Sequence, residues 1–188
     1  MIRENQKAAL KPKQTPLDFM LLIDASGSMR GYPLNEAKKA CLALVDDMLD
    51  FSVHRLALAS FANDVNLLLD LSQDTQAMRE KISSITAYGG TDMVAALERA
   101  NRQLLNSSRG KVVVMVTDGA PNWVDGTLRM AETLKSNGVR LIAIGVGSSI
   151  REDVLRKMAS SGDAYKIDDM NQLEGTFRTA ISAIMEKM

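Results

Sequence analysis

Short apolar runs alternate with amphipathic stretches along most of this chain, and that alternation restricts the folds it can adopt. Residues 19–23 are all apolar, and so are residues 112–116. Runs of this kind are typical of parallel strands with helices on both faces, because neither face of such a strand meets water. Strands that alternate with helical patterns indicate β-α units and a mostly parallel sheet.

The residue pattern predicts six strands and six helices. The predicted strands are residues 17–23, 55–61, 65–69, 111–117, 140–145 and 164–167. The predicted helices are residues 34–49, 78–85, 91–105, 127–137, 151–160 and 170–188. Only three residues separate the second and third strands, which is short enough for an antiparallel hairpin. Residues 1–16 lack periodicity, so we expect an N-terminal arm or linker before one domain at 17–188.

Composition argues against several classes of function. The 23 basic and 23 acidic residues balance, so the chain lacks the basic excess of a nucleic-acid binder. No apolar run approaches the roughly 20 residues of a membrane helix, and residues 1–16 lack a signal-peptide core. The sole cysteine, Cys41, cannot form an intrachain disulfide, which fits a reducing compartment. We expect a cytoplasmic protein without nucleic-acid or membrane partners, although a piece of a longer secreted or anchored protein would also lack these signals.

Oxygen-bearing side chains with neighbouring glycines fall in three predicted loops. The first contains Asp24, Ser26 and Ser28, the second contains Thr91, and the third contains Asp118. Asp24 and Asp118 each follow a predicted strand, and Thr91 opens a predicted helix. Ligands of open parallel sheets bind outside the carboxyl ends of the strands, where the strand order reverses. We therefore expect these five side chains to meet at one edge of the sheet.

Such a set of ligands predicts a site for a hard divalent cation. Two carboxylates and three hydroxyls suit Mg²⁺ or Mn²⁺ better than zinc, with Ca²⁺ a less favoured alternative. His54 is the only histidine, so no cluster of histidines and cysteines is available for a soft metal. The two carboxylates roughly neutralise the ion, and direct ligation by the hydroxyls would leave it able to accept a carboxylate from a partner.

The pattern Asp24-x-Ser26-x-Ser28, followed by Thr91 and Asp118, resembles the metal-ion-dependent adhesion site of von Willebrand factor A domains. The resemblance extends from about Pro16 to the last residue. It implies a doubly wound, Rossmann-like three-layer α/β sandwich, with a six-stranded, mostly parallel sheet, one antiparallel edge strand and helices on both faces. Residues 26–34 are similar to intracellular bacterial members, including those associated with tellurite resistance.

The leading hypothesis is a metal-dependent protein-interaction module without enzymatic activity, serving as a scaffold or adaptor in a multiprotein complex. Its partner would offer an Asp or Glu carboxylate, and the resemblance suggests an AAA+ ATPase or a kinase/phosphatase system. The alternative is a Mg²⁺-dependent phosphotransferase of the haloacid dehalogenase kind, which also places an Asp after its first strand. That family requires a second Asp two positions later, where this chain has Ser26.

Several other residues have two interpretations. Trp123 and Tyr32 follow the third and first loops, so each is either an aromatic anchor for a partner or part of the local packing. Thr91 could serve as a helix N-cap, with Asp92 in the first turn. His54 is expected at a strand entrance, and Cys41 is expected in the core.

Overall fold

A computed structural model describes residues 14–187, which contain one six-stranded sheet. The strands are β1 (Leu17–Asp24), β2 (Arg55–Phe61), β3 (Val65–Ser72), β4 (Gly110–Thr117), β5 (Val139–Val146) and β6 (Ala164–Ile167). Their order is β3-β2-β1-β4-β5-β6, and only the β2–β3 pair is antiparallel. The chain builds outward from β1 in one direction and then from β4 in the other, so the sheet is doubly wound, as predicted.

Helices cover both faces of the sheet. They are α1 (Tyr32–Ala43), α2 (Thr75–Ser84), α3 (Met93–Leu104), α4 (Val124–Ser136), α5 (Glu152–Met158) and α6 (Leu173–Lys187). Helices α1, α2 and α6 contribute to the apolar core on one face, and α3, α4 and α5 to the core on the other. The three-layer architecture expected from the sequence is therefore confirmed.

The continuous apolar runs follow from burial on two sides. In β1, Phe19, Leu21 and Ile23 join one core, whereas Met20 and Leu22 join the other. Successive strand side chains point to opposite faces, so a strand between two helical layers needs apolar residues at every position. All eight residues of β1 are buried.

The ends of the helices differ from the sequence predictions in specific ways. Helix α1 starts two residues before the predicted position, with Pro33 in its first turn, where a missing N–H costs nothing. It continues beyond Ala43 as the π-helical turn Leu44–Met48. The interpretation of Thr91 as an N-cap is wrong. Asp92 is the N-cap of α3, and its side chain accepts a hydrogen bond from the Ala95 amide at 3.0 Å.

A buried ionic cluster lies at the end of the sheet opposite the three loops. Asp18 in β1 is fully buried and accepts hydrogen bonds from Arg55 at 2.8 and 2.6 Å and from the Ser107 hydroxyl at 2.6 Å. Burial raises the pKa of the Asp18 carboxyl, but these donors outweigh it and lower that pKa overall. Buried His54 precedes β2, as expected, and accepts a hydrogen bond from the Leu17 amide at 3.2 Å.

The predicted arm at 1–16 lies outside the described residues except for 14–16, where Pro16 accepts a backbone hydrogen bond from Gly110. The division into an arm and a domain therefore stays a prediction. Cys41 lies on the buried face of α1 and is fully buried in the core, as expected. Within residues 14–187, no helix is both long enough and apolar enough to cross a membrane.

Candidate functional site

Two neighbouring parallel strands deliver the two carboxylates to the same edge of the sheet. Asp24 is the last residue of β1, and Asp118 directly follows β4. The strands pair in register up to Ile23 and Val116, so the residues that follow leave the sheet side by side. This is the point where the strand order reverses, which is where such sheets leave a crevice for ligands.

A continuous set of hydrogen bonds joins four of the predicted side chains to Thr117. The hydroxyls of Ser26 and Ser28 lie 3.0 Å apart, and the Ser28 hydroxyl donates to Asp118 Oδ1 at 2.8 Å. Asp24 Oδ1 accepts from the Ser26 amide at 2.8 Å, and Asp24 Oδ2 accepts from the Thr117 hydroxyl at 2.7 Å. Loops from β1 and β4 are thus connected through the oxygen atoms that the sequence singles out.

Thr91 is held beside them by backbone contacts among the three loops. Its hydroxyl lies 3.8 Å from where a Cβ on Gly119 would stand. The Gly27 amide donates to the Gly89 carbonyl at 2.9 Å, which joins the first loop to the second. The Asn122 amide donates to the Thr91 carbonyl at 3.4 Å, which joins the third loop to the second. The structure therefore brings all five predicted residues to one place.

Asn63 is a residue that the sequence analysis missed. It lies in the β2–β3 turn, and its Oδ1 accepts from the Gly90 amide at 2.7 Å. A Cβ on Gly89 or Gly90 would stand 2.8 or 2.7 Å from the Asn63 side chain, so both positions require glycine for this approach. Asn63 therefore positions the second loop. Asn63 comes close to Gly90 only because the β2–β3 turn packs against the second loop, so no local sequence motif predicts this contact.

Thr117 is the second residue whose role was missed. The sequence analysis treats it only as the last residue of the predicted strand 111–117, but its hydroxyl contacts Asp24. That hydroxyl donates to Asp24 and accepts from the Gly119 amide at 3.1 Å, and the residue is 1 % exposed. Only the pairing of β1 with β4 reveals this contact.

Burial and charge at the site both favour a bound cation. Asp24 is fully buried and Ser26 and Thr91 are nearly so, whereas Ser28 is exposed. Burial raises the pKa of the Asp24 carboxyl, and the negative charge of Asp118 adds to that rise against the hydrogen bonds from Thr117 and Ser26. A cation beside both acids would offset this cost of holding Asp24 ionised.

The ligand types narrow the kind of metal. Residues 14–187 contain no group of three or more His, Cys, Asp or Glu side chains placed to hold a metal. The available ligands at the site are therefore two carboxylates and three hydroxyls, all hard oxygens. Such a set fits Mg²⁺ or Mn²⁺ and disfavours ions that depend on thiolate or imidazole.

A cleft of about 310 Å³ opens beside Asp118. Its wall includes Gly147 and Ser148, so the turn that follows β5 lies next to the site. Tyr32 lines the same cleft and is 53 % exposed, and its hydroxyl donates to Asp169 at 2.7 Å. Tyr32 thus has a local partner for its hydroxyl while its ring remains accessible.

The doubly wound sheet and the oxygen ligands at its switch point define a Rossmann-like domain with a candidate cation site. The family model of the von Willebrand factor type A domain matches residues 18–179. The chain therefore belongs to the von Willebrand factor type A domain family. The resemblance noted from the sequence is thereby confirmed at the level of the family.

Curated relatives share moderate identity with this chain. Mouse matrilin-3 is 31 % identical over 163 residues, covering 79 % of this chain and 33 % of matrilin-3. The thrombospondin-related anonymous protein of Plasmodium falciparum is 27 % identical over 149 residues, covering 71 % of this chain and 26 % of that protein. The chain thus spans between about a quarter and a third of the length of these two relatives.

Solved structures show the same fold at lower identity. The vWF domain of the type V pili tip protein Mfa5 from Porphyromonas gingivalis has a TM-score of 0.82 at 15 % identity, covering 92 % of this chain and 96 % of that domain. Proximal thread matrix protein 1 from the mussel byssus, described with a zinc-occupied MIDAS motif, has a TM-score of 0.81 at 21 % identity, covering 92 % of this chain and 46 % of that protein.

Proposed function

We propose that this domain is a metal-dependent protein-interaction module that binds a partner's carboxylate through one divalent cation. Asp24, Ser26, Ser28, Thr91 and Asp118 would hold the ion, which we expect to be Mg²⁺ or Mn²⁺, with Ca²⁺ less favoured. When bound, the ion supplies a positive charge that accepts an anionic oxygen from outside. The observation that carries this proposal is the hydrogen-bonded series from Asp24 through Ser26 and Ser28 to Asp118.

The surroundings of Asp24 suggest how its charge would contribute. Both of its oxygens already accept hydrogen bonds, one from the Ser26 amide and one from Thr117. Asp24 therefore suits a role as a fixed negative charge, and the three hydroxyls suit direct ligation. Ser28 is exposed, so the side of the site that it forms faces solvent and can meet a partner.

The relatives support an interaction role. Two structural neighbours are described as a pilus tip protein and a thread matrix protein, and one of them carries a zinc-occupied MIDAS motif. We propose the same type of motif here, with a preference for Mg²⁺ or Mn²⁺ over Zn²⁺ because all five candidate ligands are hard oxygens. A scaffold or adaptor role, an AAA+ ATPase or kinase/phosphatase partner, a cytoplasmic location and a place in the bacterial tellurite-resistance branch stay predictions.

Isothermal titration calorimetry with MgCl₂ and MnCl₂ tests the metal site directly. We expect saturable binding to the wild-type protein and loss of it in Asp24→Ala and Ser28→Ala. Ser148→Ala is a matched control, because Ser148 lines the neighbouring cleft without belonging to the ligand set. Metal binding that survives in both site variants would overturn the proposal, and so would the absence of any metal binding to the wild-type chain.

A phosphatase assay tests the enzymatic alternative. Ser26 stands where a haloacid dehalogenase requires its second aspartate, and the Ser26 hydroxyl lies against Ser28. The family match and the relatives described above give the phosphotransferase no support. We therefore expect no turnover of p-nitrophenyl phosphate with Mg²⁺. Turnover that disappears in Asp24→Asn would restore the alternative.

A further inference from the structure

Trp123 is an exposed aromatic side chain in the loop that joins Asp118 to α4. Its exposed fraction is 57 %, although tryptophan in folded proteins is usually well buried. Large exposed hydrophobic side chains among residues 14–187 are Tyr32, Leu105 and Trp123, and two of these three flank the candidate metal site. Tyr32 lies at the start of α1 on one face of the sheet, and Trp123 precedes α4 on the other.

The Trp123 ring is held in place rather than free. A Cβ on Gly126 would stand 2.2 Å from ring atom Cε3, so the indole lies against the bare backbone of the first turn of α4. The Trp123 carbonyl accepts from both the amide and the hydroxyl of Thr127, at 3.0 and 2.9 Å. The Thr127 bonds fix the backbone at Trp123, and the contact with Gly126 orients the ring before any partner arrives.

Arg129 adds a positive charge to this exposed ring. Its guanidinium carbon lies 4.9 Å from the Trp123 ring centroid, within the range of a cation–π contact. Among the described residues, no carboxylate forms a salt bridge with Arg129. An oriented guanidinium that lacks an acidic partner is free to bind a carboxylate in a fork geometry.

We propose that Trp123 and Arg129 form a second contact for the partner and that the partner segment is therefore acidic at two positions. One carboxylate would go to the metal loops and the other to Arg129, with an apolar group between them packed on the Trp123 ring. This inference rests on the proposed function, because the metal contact sets the first of the two positions. It adds what the metal alone cannot give, which is selectivity for the residues around the first acid.

The exposed Arg129 guanidinium favours a peptide with two separate carboxylates over a nucleic acid, which carries a negative charge at every nucleotide. Asp118 and Asp169 line the cleft on the other side of the site, and exposed Asp125 follows Trp123. A nucleic acid would place phosphates close to these acids, and the like charges would repel where no metal lies between them. The chain as a whole also carries no net positive charge that would attract a nucleic acid. A peptide can instead place one carboxylate on the metal and one on the Arg129 guanidinium, and keep its other positions uncharged.

The single tryptophan makes the site directly observable, because all indole emission comes from Trp123. The probes are synthetic peptides with an acid, an apolar residue and a second acid at a series of spacings, and the same peptides with the second acid replaced by Gln. With Mg²⁺ present, we expect the two-acid peptide of the best spacing to shift the emission to the blue. We expect it to bind about tenfold more tightly than its one-acid counterpart, as one hydrogen-bonded ion pair provides.

Three variants separate the contributions. Arg129→Gln should remove the tenfold preference while Mg²⁺ binding by calorimetry stays at the wild-type level. Gly126→Ala should displace the ring and weaken both peptides without changing Mg²⁺ binding. Arg102→Gln, a change of an exposed arginine near the end of α3, is the matched control and should keep the preference.

The outcomes distinguish this inference from the proposed function. A wild-type protein that binds Mg²⁺ and the one-acid peptide but shows no preference for two acids would overturn the inference alone, as would a preference kept in Arg129→Gln. Loss of all Mg²⁺ binding would overturn the proposed function. An emission shift caused by a single-stranded oligonucleotide, or by raising the protein concentration without peptide, would assign the surface to nucleic acid or to a second copy and contradict the inference.

Discussion

Replacing Thr117 with valine removes one hydroxyl from the site without changing the shape of the side chain. That hydroxyl donates to Asp24 Oδ2 at 2.7 Å and accepts from the Gly119 amide at 3.1 Å. Thr117 is 1 % exposed, so water cannot replace either contact without rearrangement. The variant therefore leaves one oxygen of a buried carboxylate without its donor.

The size of the effect follows from these contacts. A hydrogen bond to a charged group contributes about 1.5–3 kcal/mol to the free energy of unfolding. For a domain of this size, 1 kcal/mol shifts the Tm by about 2–4 °C, so we expect a loss of about 3–12 °C in the metal-free protein. Partners that orient metal ligands typically change metal affinity by about 10- to 100-fold, so Mn²⁺ binding should weaken by that factor.

Differential scanning calorimetry measures the first effect and isothermal titration with MnCl₂ the second. Thr127→Val is the matched control, because Thr127 is also fully buried but its hydroxyl bonds only to the Trp123 carbonyl, which keeps its bond from the Thr127 amide. That variant should lose less than about 1 kcal/mol and keep its Mn²⁺ affinity. Equal Mn²⁺ affinity in Thr117→Val and the wild type would refute the reasoning that Thr117 holds Asp24 for the ion.

Three further variants probe the site and the opposite edge of the sheet. Asn63→Ala removes the acceptor of the Gly90 amide, so calorimetric titration should show that Mn²⁺ binding weakens by about tenfold. Urea unfolding should show a loss of under about 1 kcal/mol in the free energy of unfolding. Unchanged Mn²⁺ affinity would mean that the second loop keeps its shape without Asn63. Asp18→Asn replaces the charged acceptor of the Arg55 hydrogen bonds and should cost about 1.5–3 kcal/mol in urea unfolding. Mn²⁺ affinity should stay constant, since Asp18 and Asp24 are about 20 Å apart along β1. Burial lowers the pKa of His54 below its unfolded value near 6.5, so the unfolded chain takes up more protons and stability should fall as pH drops below that value. His54→Gln should flatten this slope in urea titrations at stepped pH, and an unchanged slope would assign it to other groups.

Much of the fold could be predicted from the sequence because burial on two sides leaves a distinct pattern. The strand at residues 112–116 has no polar residue, and in the structure its neighbours on both faces are helices. The first and last residues of the helices were harder to predict from the sequence. Thr and Asp are both favoured N-cap residues, so the sequence does not decide whether α3 begins after Thr91 or after Asp92.

The convergence of the five candidate site residues could be predicted because they lie in loops that follow strands or precede a helix in the sequence. Their supporting residues could not be predicted in the same way. Asn63 reaches Gly90 across 27 positions, and Thr117 reaches Asp24 across 93. The cation–π contact of Arg129 likewise depends on the side-chain orientation of Trp123 at the start of α4. Contacts of this kind arise from the pairing of strands and the packing of turns, and they leave no local periodicity.

The backbone links among the three loops have a consequence for how such a domain can change during evolution. Main-chain atoms make the connections from Gly27 to Gly89 and from Asn122 to Thr91, so replacing a side chain need not break them. A descendant could therefore exchange one acid or hydroxyl, lose its affinity for the ion and still present the same rim to its neighbours. Under the proposed function, one substitution would thus remove the contact made through the ion and leave the backbone frame around it unchanged.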